Sequence, residues 1–156
     1  MALDTFACLP LTTWSTILPQ PVSLTSVPEE VEAIGLGVRT KSVFQPAEAE
    51  DGYRILITRF YPRGVPRERF NEWAITLSPK PELLFAYKER KIDWDTFAHE
   101  FLNQLRENTE CLEAIQTLHE LSEHEDITLL CFEKDGNPCH RHLVRDVVEN
   151  PELLAR

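Results

Sequence analysis

No run of consecutive apolar residues in this sequence approaches the roughly 18 needed to cross a bilayer, so no membrane-spanning segment is expected. Basic residues are absent before Arg39, so the positively charged start of a secretory signal is missing and a cytoplasmic location is expected. Internal repeats and low-complexity tracts are also lacking, which excludes a solenoid and a compositional linker. Gly35-Leu36-Gly37 lacks the third glycine and the following helix of a dinucleotide fingerprint, and no Walker-type loop occurs, so neither NAD nor ATP nor any other cofactor is expected. Without a Gly-x-Ser-x-Gly elbow, serine hydrolase chemistry has no footing. Positive charge is scarce as well. The formal net charge of −10 argues against a nucleic-acid surface, because duplex affinity comes largely from clustered Lys and Arg displacing counterions.

What is present describes an ordinary globular chain. Its 156 residues are 42% apolar and 27% charged, enough for one domain with a core of its own. Cys8, Cys111, Cys131 and Cys139 are irregularly spaced and accompany no export signal, so free thiols are expected rather than a disulfide framework.

Pro10, Pro19, Pro21 and Pro28 forbid a long helix near the start, while Trp14 and its apolar neighbours favour burial. These features predict an extended arm over 1–34 packing on a single domain over 35–156. Val38 to Phe44 reads as a strand and Tyr53 to Phe60 as another, with Asp51-Gly52 marking the turn before it. Pro66 suits the first turn of a helix over Arg67 to Ile75, and a short helix from Pro81 to Arg90 follows. Asp93 caps a helix whose Trp94, Phe97, Phe101 and Leu105 share one face, and Thr109 is placed to cap the next. Ile127 to Phe132 is a continuous apolar run, the pattern of a strand buried on both faces of a parallel sheet. A last helix runs from about Cys139 to Glu149. The fold expected is α/β, a small, mostly parallel sheet flanked by helices.

In open α/β sheets the ligand crevice lies beyond the carboxyl ends of the strands, where loops converge and helix N-termini point inward. Two segments reach that position. Thr58-Arg59-Phe60-Tyr61-Pro62-Arg63-Gly64 leaves the second strand, and Cys131-Phe132-Glu133 followed by Cys139-His140-Arg141-His142 leaves the last. Arg59, Tyr61, Arg63 and Arg141 are the candidate contacts for a small anionic ligand, for which a nucleotide or base-like molecule is the model. Cys139, at a helix N-terminus that favours thiolate, is the expected nucleophile or redox thiol. Glu133 is the expected acid or base and His140 the proton carrier, with Cys131 either a second reactive thiol or a core residue. Glu133 could instead pair with an arginine and fix a loop. Cys131, Cys139, His140 and His142 lack the ligand spacing of common zinc sites, so no metal is expected. The alternative is a non-catalytic interaction protein in which the same polar cluster only locks two loops together.

These segments also carry a resemblance. Asp51-Gly52-Tyr53-Arg54-Ile55-Leu56-Ile57, Arg59 and Pro62-Arg63-Gly64 resemble the signature of the domain-of-unknown-function family 488, also called YeaO-like. The similarity continues through Glu72-Trp73, Leu77-Ser78-Pro79, Glu82-Leu83, the Asp93 to Leu105 helix and Leu129-Leu130-Cys131 to Arg141. It implies a Rossmann-like fold and no particular reaction. One branch of that family has Asp-Arg-Leu-Trp-Pro-Arg-Gly and no cysteine pair; this chain has Thr58 and Tyr61 at the Asp and Trp positions and keeps the Cys-x-Glu and Cys-His-Arg motifs of the other branch.

Overall fold

The computed structural model describes residues 36–155, and the arm expected over 1–34 lies outside the described residues. Four strands, β1 (Val38–Ser42), β2 (Tyr53–Leu56), β3 (Glu72–Trp73) and β4 (Ile127–Cys131), form one sheet in the order β1-β4-β2-β3. Every pairing is parallel. The apolar run of β4 takes a central place, and all five of its residues are buried. Each fully buried Ile or Leu in it contributes roughly 1.5–3 kcal/mol, which sets strand and register together. Its last residue, Cys131, pairs with Ser42 of β1, while Leu130 pairs with Leu56 of β2.

Alternation along the strands divides the core. Ile55, Ile127 and Leu129 pack with Phe97, Phe101 and Val144 of the helical layer. Leu56 and Leu130 face the other way, where Val65 and Phe70 from the segment between β2 and β3 cover them.

Four helices complete the domain: α1 (Pro81–Lys88), α2 (Trp94–Glu107), α3 (Thr109–Ser122) and α4 (His140–Glu149). The Asp93 carboxylate accepts the Thr96 N–H at 2.9 Å, and Phe97, Phe101 and Leu105 form the buried stripe of α2. The cap of α3 is Asn108 rather than Thr109. Its side-chain oxygen accepts the Glu110 N–H at 2.9 Å, which makes Thr109 the first helical residue.

The helix expected over Arg67 to Ile75 does not form. Short 3-10 turns at Arg67–Arg69 and Ile75–Leu77 flank β3 instead. The competing interaction is a tertiary one: Asn71 donates its backbone N–H to the Arg54 carbonyl at 2.7 Å and accepts the Arg54 N–H on its side-chain oxygen at 2.8 Å. That exchange leads Glu72 into register beside Ile55. Among the described residues no helix is long and apolar enough to cross a membrane.

Candidate functional site

Beyond the carboxyl ends of β2 and β4 lies a pocket of about 430 Å³. Thr58 to Arg63 form one wall, and Cys131 to Glu133 with Pro138 to His140 form the other. The central position of β4 beside β2 explains the meeting, because parallel neighbours end at the same edge. Of the residues expected at the site, Arg59, Tyr61, Arg63, Cys131, Glu133, Cys139 and His140 line this pocket and Arg141 does not.

His140 organises the floor. Its Nε2 lies 2.7 Å from the Ile57 carbonyl oxygen, which can only accept, so Nε2 carries the hydrogen. Nδ1 therefore faces the sulfurs of Cys131 at 3.9 Å and Cys139 at 3.8 Å. An edge-on contact with the Phe101 ring at 5.6 Å holds the imidazole plane.

Charge within this group is uneven. The hydrogen bond from Cys139 pulls the Cys131 thiol well below its ordinary range despite burial, aided by His140 and the Glu133 N–H. Cys139 goes the other way: its bond to the Cys131 sulfur, with burial, drives its pKa far upward. Burial pulls the His140 pKa down, but the adjacent Cys131 charge and hydrogen bond outweigh it and the net shift is upward. A helix N-terminus favours thiolate at Cys139, but two anions in one buried site repel, so the pair ionises once, and the direction of the shifts favours Cys131.

The two sulfurs and Nδ1 all lie within 4.8 Å of one another, a set compact enough for a soft metal ion. Bond lengths of ~2.3 Å to sulfur and ~2.0 Å to nitrogen would put the S···N edge of a tetrahedral zinc site near ~3.5 Å. The observed 3.9 and 3.8 Å are longer and match hydrogen bonds to sulfur.

Arg141 is fully buried and is not a ligand contact. Nη1 donates to the Glu133 carbonyl at 2.9 Å, and Nη2 donates to the Lys134 carbonyl at 3.3 Å and the Asp135 carboxylate at 2.9 Å. The two Nη groups are used in closing the loop between β4 and α4, while the buried Nε has no partner among the described residues. Replacing the fully buried Arg141 with Ala removes three loop-closing hydrogen bonds and opens a cavity, so a loss of about 3 kcal/mol is expected. Urea unfolding measures it; a loss below about 0.5 kcal/mol, the range of ordinary surface substitutions, would contradict this role.

Arg59 divides its donors. Nε binds the Pro79 carbonyl at 3.0 Å and Nη2 the Ser78 carbonyl at 3.2 Å, which ties the pocket wall to the turn before α1. Tyr61 donates its hydroxyl to the Val65 carbonyl at 2.8 Å, so only its ring is available to a ligand. Arg63 is exposed and has no hydrogen-bond or ion-pair partner among the described residues. The Glu133 carboxylate pairs with no arginine there either; its backbone carbonyl is what Arg141 holds.

Comparison with known proteins shows where this arrangement belongs. The family model DUF488-N3a, described as the active DUF488-N3 subclade, matches residues 38–152. The chain belongs to this family. The DUF488-N3a match runs from the first residue of β1 past α4 and so includes both loops of the pocket. Among relatives, the uncharacterized protein YeaO of Escherichia coli (strain K12) is 29% identical over 113 residues, covering 71% of this chain and 96% of the relative. The uncharacterized protein Mb3100c of Mycobacterium bovis is 27% identical over 73 residues, covering 46% of this chain and 62% of that protein. No solved structure matches.

The DUF488-N3a pocket also has features that motif reasoning does not single out. Phe44, Phe60 and Phe132 at its edge are each about half exposed, at 49%, 55% and 51%, and Phe44 and Phe132 meet edge to face at 5.2 Å. The clue to them is position, since each follows the end of a strand. Lys88, from α1, adds a second exposed cation. Thr58 is buried, yet its hydroxyl has no hydrogen-bond partner among the described residues.

Proposed function

We propose that this DUF488-N3a protein is a thiol-dependent enzyme acting on a small anionic ligand with a flat apolar part, a nucleotide or base-like molecule being the model. The observation that carries the reading is the Cys131 sulfur 3.9 Å from Nδ1 of His140, whose ring is anchored by the Ile57 carbonyl, at the floor of an open pocket. Cys131 is the nucleophile. His140 holds a proton at Nδ1 and delivers it to a leaving group, while Cys139 steadies the thiolate through its S–H. Glu133 supplies a carboxylate at the pocket wall for a further proton transfer.

Binding is divided by chemistry. Arg63 and Lys88 take the anionic group, the exposed rings of Phe60 and Phe132 take the flat part, and the unpartnered Thr58 hydroxyl takes a polar edge. The family's description as an active subclade is in keeping with a working site. A centre that depends on free thiolate also suits the reducing cytoplasm. The loop-locking alternative accounts for Arg141 and part of Arg59, but leaves a cysteine–histidine cluster and two cations without partners among the described residues around an open pocket unexplained.

A thermal-shift screen of phosphorylated and carboxylated aromatic compounds tests the binding half of this reading. A ligand at about 100 times its Kd stabilises by about 2.7 kcal/mol, which raises Tm by several degrees. The expected hits lose their shift in Arg63→Ala and Lys88→Ala. If no such anion stabilises the wild type, or if both variants respond like the wild type, the pocket is not an anion site.

A further inference from the structure

Cys139 combines a place at the head of α4 with an opening onto the pocket. Cys111, the one cysteine outside the pocket among the described residues, donates its S–H to the Thr76 carbonyl at 3.2 Å and is surrounded by core. The sulfur of Cys139 instead meets the Cys131 sulfur, His140 Nδ1 and the Arg141 backbone N–H, and both cysteines open onto the same pocket. Their sulfurs lie within 4.8 Å of each other. Cys131 ends a central strand and Cys139 caps α4 from extended backbone, so they belong to opposite ends of one loop. That loop is exposed from Lys134 to Pro138, which leaves room for the small approach that a bond of about 2.0 Å requires.

We propose that Cys139 is the resolving thiol of Cys131, giving the site a two-electron dithiol–disulfide cycle with a small hydroperoxide as oxidant. The inference rests on the reading of Cys131 as the thiolate. In the first step the Cys131 sulfur attacks the terminal oxygen of the hydroperoxide and the O–O bond breaks. Cys131 becomes a sulfenic acid, and the alkoxide or hydroxide that leaves takes the proton from His140 Nδ1. In the second step Nδ1 receives the Cys139 proton, the Cys139 sulfur attacks Cys131, and the S–O bond breaks. The departing hydroxide takes that proton back and leaves as water. Two electrons pass from the two sulfurs to the peroxide, and a small dithiol returns them to restore the starting state. The opposite protonation of the two thiols suits the sequence, because the neutral partner does not compete for the peroxide.

The full chain treated with one equivalent of hydrogen peroxide provides the test, followed by intact-mass measurement and peptide mapping after alkylation. The expected product has lost two hydrogens, carries a bond between Cys131 and Cys139, and is restored by dithiothreitol. In Cys139→Ser the sulfenic acid persists, and its capture by dimedone rises about tenfold or more. Circular dichroism establishes that this variant folds, and the mapping of the wild type does not depend on it. If wild-type Cys131 instead gains oxygen and stays a sulfenic acid with no bond to Cys139, or pairs with Cys8 or Cys111, the resolving role is overturned while the thiolate reading stands. If Cys131 is oxidised and alkylated no faster than Cys111, the thiolate reading itself fails and takes the cycle with it.

Discussion

Iodoacetamide is expected to alkylate Cys131 at nearly the same rate at pH 6 as at pH 8, while Cys111 and added free cysteine slow by about tenfold per pH unit. An ordinary thiol is only a few per cent ionised near neutrality, whereas the Cys131 pKa is held down by the hydrogen bond from Cys139 and by His140, which favours the charged form there. Full ionisation is worth roughly 100-fold at pH 6.5, and the weaker nucleophilicity of a low-pKa sulfur returns part of that, leaving about tenfold. Cys131→Ser removes the labelled peptide. His140→Gln withdraws only the imidazole's share of that lowering and leaves the Cys139 hydrogen bond, so Cys131 is expected to regain part of an ordinary pH dependence. A Cys131 rate that falls in parallel with free cysteine between pH 8 and pH 6 would remove the nucleophile from the proposed mechanism. Cys139 labels last in the wild type, since its proton is held against a neighbouring anion.

Gly52→Ala is expected to abolish folding or to cost more than about 4 kcal/mol, a large part of the 5–15 kcal/mol that stabilises a typical domain. The cause is contact as well as conformation. A Cβ at this position would lie 1.9 Å from the Asp126 carbonyl oxygen and 2.6 Å from its carbon, both backbone atoms. That carbonyl accepts the Tyr53 N–H at 2.8 Å, the bond that starts β2 alongside β4. Gly52 also has φ 61° and ψ −132°, which side chains with a Cβ strongly disfavour. The comparison variant is Gly136→Ala, with φ 87° but nothing within 4 Å of the added carbon. Strain alone there should cost about 1 kcal/mol. Soluble yield and Tm decide the matter, and a Gly52→Ala protein that melts within a few degrees of wild type would show that the β2–β4 junction yields easily.

The Gly52 junction matters to function because it aligns the ends of β2 and β4, and with them both walls of the pocket. That alignment was legible before any coordinates: the Ile127 to Phe132 run reads as a central parallel strand, and two motif-bearing loops leave strands at their carboxyl ends. The α2 stripe was legible for the same reason, since burial of Phe97, Phe101 and Leu105 at helical spacing is a local pattern. The segment over Arg67 to Ile75 has a helical pattern in sequence yet forms no helix, because its shape comes from Arg54 and Ile55, too distant in sequence to leave a local signal.

What the sequence determined by itself is the α/β class, the central strand and the edge where chemistry gathers, because apolar periodicity reports directly which faces must leave water. Which polar groups are free at that edge was decided only by tertiary structure. Arg141 is spent on Glu133, Lys134 and Asp135, and His140 takes its tautomer from Ile57, 83 positions away. Charge followed the same rule: the choice of Cys131 over Cys139 depends on two sulfurs and one nitrogen lying within 4.8 Å. Hydrogen bonds and Coulomb forces act over a few ångströms of space, and a linear spacing of residues does not record those distances.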